Sequence, residues 1–96
     1  MKRSEAQTVG EIARQLFKDM NLEDQMLQQQ ILDIWPKVVG PVIAKRTVER
    51  YISGDKLVVN IVSAPIRNEL MMHRSRLLES LNKAVGKNVI SDVIIK

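Results

Sequence analysis

The side chains that could do chemistry in this chain are mostly cations. Lys37, Lys45, Arg46, Arg50 and Lys56 crowd one stretch, and Arg67 and Arg74 follow at a spacing that puts them on one side of a helix. Such residues bind polyanions: each Lys or Arg that meets a phosphate releases condensed counterions, so affinity is sequence-tolerant and salt-dependent. The composition closes off most alternatives. With no cysteine there is no disulfide scaffold, no Cys-ligated zinc and no iron–sulfur cluster. His73 is the only histidine and has no second ligand or nucleophile spaced to work with it. No Walker loop, no G-x-G-x-x-G and no Ser/His/Asp arrangement occurs. The residues predict a binding module rather than an enzyme, with no cofactor and no metal.

The charge distribution points the same way. The 96 residues carry a net +4, but unevenly. Residues 1–36 hold four basic and six acidic side chains (4 − 6 = −2), whereas residues 37–96 hold eleven and five (11 − 5 = +6). A hydrophobic fraction of 45% with 27% charged residues is ordinary globular composition at a length suited to one domain. No signal-peptide pattern and no run long enough to span a membrane is visible, so a cytoplasmic protein without membrane association is expected. Residues 1–7 read as a flexible N-terminus and 8–96 as a single domain.

These cations need a scaffold, and the hydrophobic period describes one. Thr8-Val9-Gly10-Glu11 has the form of a capping box, and Val9, Ile12, Ala13, Leu16, Phe17 and Met20 continue at helical spacing. A second helix opens near Glu23-Asp24, where acids suit the positive helix end. It should break around Trp35-Pro36, because proline has no amide hydrogen, and add one turn to Gly40-Pro41. Trp35, among Ile31, Ile34 and Val38, reads as a core anchor. From Thr47 the period becomes two: Thr47 to Ser53 and Lys56 to Val62 form a hairpin about Gly54-Asp55. Ser63 caps a long helix with Pro65 in its first turn, ending at Gly86. Val89 to Ile95 supplies a third strand. The fold class is α+β, in the order ααββαβ, with a three-stranded sheet packed with helices.

Two features suggest partners. Leu57, Val59 and Ile61 form one face of the hairpin, yet Val58 and Val62 make the other partly apolar. Either the first two helices cover that face, or it docks another chain, which would make the protein an adaptor or homodimer. Arg67 and Arg74 fall within the apolar arc of the long helix, so either they meet a carboxylate such as Asp33 or Glu49 or an external phosphate, or their long side chains snorkel out at the edge of the stripe.

The string Ile34-Trp35-Pro36-Lys37-Val38-Val39-Gly40, followed by Ile43-Ala44 and Thr47, resembles the signature of the DciA-like family, a bacterial group long carried as a domain of unknown function. Gly54-Asp55-Lys56-Leu57-Val58-Val59, Arg67-Asn68-Glu69-Leu70, Leu77-Leu78 and Leu81-Asn82 extend the resemblance over roughly residues 9–96. It implies a KH-like domain, a nucleic-acid-associated role in DNA replication, and the replicative helicase as partner during its loading. The nucleic acid would be single- or double-stranded DNA, or RNA. Gly10, Gly40, Gly54 and Gly86 provide no G-x-x-G clamp, so binding would rest on phosphate contacts rather than on base readout.

Overall fold

A computed structural model describes Val9, Glu11 and residues 22–96. The helix expected from Thr8 and the N-terminal residues 1–7 lie outside the described residues, apart from Val9 and Glu11. The described elements are α1 (Leu22–Val39), α2 (Pro41–Arg46), β1 (Thr47–Ser53), β2 (Lys56–Ile61), α3 (Ala64–Met72), α4 (Arg74–Val85) and β3 (Asp92–Ile95). The sheet is three-stranded in the order β1-β2-β3, antiparallel between β1 and β2 and parallel between β2 and β3. The fold is therefore α+β with a mixed sheet and flanking helices.

β2 is central, and its residues show it. Leu57, Val59 and Ile61 are buried together with Val93 of β3, Ile31 and Trp35 of α1, Leu70 of α3 and Leu77 and Leu81 of α4. All the long described helices thus place their buried residues against one sheet face. The expectation that the second helix would help to cover the opposite face is corrected: α1 packs with Leu57 and Val59. On the other face Val58 is buried, with Tyr51 and Ile94 as its cross-strand neighbours, and Val62 lies beyond the end of β2, exposed.

Pro36 does not break α1, which continues through it to Val39. A proline at this position leaves the carbonyl four residues earlier, that of Leu32, without its helical donor. The Arg50 side chain fills the gap: its Nε donates to the Leu32 oxygen at 2.9 Å. The chain then turns at Gly40, whose φ of 89° and ψ of 168° belong to a region essentially restricted to glycine. Pro41 starts α2 directly.

The expected long helix is two helices. Ser63 caps α3 as anticipated, its Oγ accepting from the amide of Ile66, but α3 stops at His73, with φ −112° and ψ 24°. α4 begins at Arg74 and ends on Gly86 in the left-handed conformation. The break lets α3 lie over β2 and β3 while α4 runs along α1. Strand β3 also starts later than its β-branched sequence suggests. The amides of Val89 and Ile90 donate to Oδ1 of Asn82, and Asn82 Nδ2 donates to the Ile90 carbonyl, so these groups have partners outside the ladder.

Candidate nucleic-acid interface

The junction of α1, α2 and β1 is locked by one hydroxyl. Thr47 Oγ1 accepts from the buried Trp35 indole Nε1 at 3.0 Å and donates to the Ile43 carbonyl at 2.8 Å. Trp35 is accordingly a core anchor, fully buried with its polar atom satisfied. Lys45 and Arg46 stand exposed in the last turn of α2, immediately before this hydroxyl. Cations also suit the negative end of a helix.

Topology brings further basic residues to the same end of the sheet. The Val62 amide donates to the Arg46 carbonyl, and the Ile61 amide donates to the Lys96 carbonyl. The Arg67 guanidinium reaches back from α3 and donates through Nη1 to the Ile61 carbonyl. The backbones of Arg46 and Lys96 and the Arg67 guanidinium thus meet at the exit of β2, with Lys45 one residue before Arg46. Neither Lys45 nor Arg46 has a carboxylate partner among the described residues. Glu49, the nearest acid along β1, accepts a hydrogen bond from Asn60 Nδ2 at 2.8 Å.

The other candidates are placed elsewhere. Lys56 pairs with Ser53 at the hairpin turn, several strand residues from Arg46 and so roughly 20 Å away at about 3.3 Å per residue. There it meets Asp55 at 3.8 Å. Arg74 contacts Asp92 at 3.5 Å, and Asp92 is the β3 residue opposite Lys56. At that end acids and cations alternate, and Ser91 Oγ donates to Asp55 Oδ2 at 2.7 Å. This hydrogen bond holds the Asp55 carboxyl below its ordinary value, with the neighbouring Lys56 charge a smaller contribution in the same direction. Lys37 is exposed on α1. Arg50 is occupied with the Leu32 carbonyl, though its side chain remains open to solvent.

Two expectations about the paired arginines are corrected. Neither meets Asp33 or Glu49: Arg67 bonds to a backbone carbonyl and Arg74 to Asp92, while Asp33 accepts from Gln29. They are also on different helices, at opposite ends of β2. Lys96 escapes the sequence reading, because only the parallel pairing of β3 brings it beside Ile61. Among the described residues no group of acids and histidine is arranged to hold a metal ion, and no helix is long and apolar enough to cross a membrane.

Comparison with known proteins identifies relatives of the whole described domain. A UPF0232 protein of Mycolicibacterium paratuberculosis is 29% identical over 89 residues, which is 93% of this chain. The chain spans about half of that relative's length, 49%. The family model described as "Dna[CI] antecedent, DciA" matches residues 8–95. With that match over nearly its whole length, the chain belongs to the DciA family.

Proposed function

We propose that this chain is a non-enzymatic nucleic-acid-binding module that serves DNA replication as a helicase-loading accessory, touching phosphates weakly and without sequence readout. Membership of the DciA family supports the replication role. The observation that carries the binding mode is the gathering of Lys45, Arg46, Arg67 and Lys96 at the exit of β2, away from the neutralised cluster of Asp55, Lys56, Asp92 and Arg74. Tyr51 is the only aromatic on the described strands, so the sheet offers little for bases to stack on. Phosphate contacts of this kind give dissociation constants of about 1–100 μM at physiological salt.

The test is fluorescence anisotropy with a labelled oligothymidylate and a labelled duplex across a salt series. Log affinity should fall linearly with log salt, with a slope of about −0.7 to −0.9 for each phosphate contact. Lys45→Glu with Arg46→Glu should weaken both complexes and flatten that slope by roughly two contacts' worth. The fold should persist, since exposed charge changes shift stability by only about ±0.5 kcal/mol. Unchanged affinity in the folded double variant would remove this end of the sheet from the reading. No binding by the parent chain at low salt would remove the nucleic acid altogether.

A further inference from the structure

An apolar groove lies where α1, α2, α3 and α4 meet. Its floor is Val38, Val39, Ile43, Leu70 and Leu77, and His73 and Arg76 stand at its rim. It encloses about 220 Å³, below the roughly 300–1,000 Å³ of small-molecule sites. That size suits one or two apolar side chains of a longer partner laid across the helices. The break at His73 borders the groove, and Met72 beside it is 76% exposed. Methionine is unbranched and polarizable, and serves well on surfaces that adapt to an incoming side chain.

Charge selects the partner. Arg76 is exposed and has no carboxylate partner among the described residues. The acid nearest in sequence to the floor residue Leu70, Glu69, is held by His73 at 3.5 Å. We propose that this groove docks an amphipathic helix of a partner protein, with apolar residues on one face and Asp or Glu on the other. Such a helix would set its apolar anchors on the valine and leucine floor and its acids against Arg76 at the rim. This docking does not depend on the phosphate-binding reading, whose cations lie around the β2 exit.

The experiment is an amide- and methyl-resonance titration of the whole chain with a synthetic helix of about 15 residues, Leu at helical spacing and Glu elsewhere. A Leu/Lys counterpart and an oligothymidylate serve as the other probes. The Leu/Glu peptide should shift Val38, Val39, Ile43 and Leu77, and Arg76→Glu should weaken it roughly three- to tenfold while keeping a dispersed spectrum. The Leu/Lys peptide should leave those resonances in place. Absence of shifts with the Leu/Glu peptide, or equal shifts with both peptides, would overturn the proposal. So would oligothymidylate shifting the groove residues when the acidic peptide does not.

Discussion

Replacing Pro36 and Arg50 by alanine, singly and together, tests the account of how α1 passes through a proline. Arg50 Nε donates to the Leu32 carbonyl at 2.9 Å, the acceptor that residue 36 would use if it had an amide hydrogen. A hydrogen bond with one charged partner contributes about 1.5–3 kcal/mol. Arg50 is exposed, so solvent competition lowers the expected cost of Arg50→Ala to roughly 1 kcal/mol. Interior proline costs a helix about 3 kcal/mol, partly offset by about 0.4–1 kcal/mol from a stiffer unfolded chain. Pro36→Ala should therefore stabilise, by about 1–2 kcal/mol after the surroundings relax. In that background the new amide at position 36 claims the Leu32 carbonyl. Arg50→Ala should then cost under about 0.5 kcal/mol, leaving a coupling of roughly 0.5–1 kcal/mol. Urea denaturation followed by the fluorescence of the sole tryptophan, Trp35, measures all four proteins. An equal cost of Arg50→Ala in both backgrounds would refute the substitution of one donor for the other.

Three further outcomes are expected. Trp35→Ala should cost about 3–5 kcal/mol in urea denaturation followed by circular dichroism, because it empties a fully buried site; a loss below about 1 kcal/mol would mean that the indole is not a core anchor. Asn82→Leu should cost about 3 kcal/mol or more, since it strands the amides of Val89 and Ile90 and the Ile90 carbonyl; unchanged hydrogen exchange at those amides would contradict this. Ser91→Ala should lower the melting temperature at neutral pH. A carboxyl lowered in the folded state contributes stability above its ordinary value of 3.8 and loses it as pH falls below that value, so the two melting curves should converge in acid. A gap independent of pH would rule out Asp55 as the source.

Local chemistry made the hairpin readable. Gly54-Asp55 between two β-branched runs is tight-turn chemistry, and Ser53 pairs with Lys56 across it. The caps at Ser63 and Gly86 were equally legible, because a hydroxyl acceptor and a left-handed glycine act within one turn of helix. Two of the departures come from distant residues. Proline's usual effect at Pro36 was overridden by an arginine on β1, and the strand character of Val89 and Ile90 by an asparagine on α4. Neither glycine nor proline stands at His73, so nothing local announced the break. For the candidate interface, Lys45 and Arg46 could be found as adjacent cations. Their company with Arg67 and Lys96, and the separation from Lys56 and Arg74, arise from sheet topology.

The irregularity near the start of β1 bears on how the chain behaves when concentrated. β1 is an edge strand, and an edge offers free backbone groups on which a neighbouring molecule could build. Its pairing with β2 slips between Thr47 and Glu49, so the strand is kinked where a growing aggregate would need it flat. Glu49 and Arg50 follow at once and place opposite charges in the middle of the strand. A chain with Val at both positions would read Thr-Val-Val-Val-Tyr-Ile-Ser, a short uncharged β-former of the kind that stacks into fibrils. The bulge and its two charges therefore act as gatekeepers, so that the strand leading away from the basic end cannot template its own polymerisation.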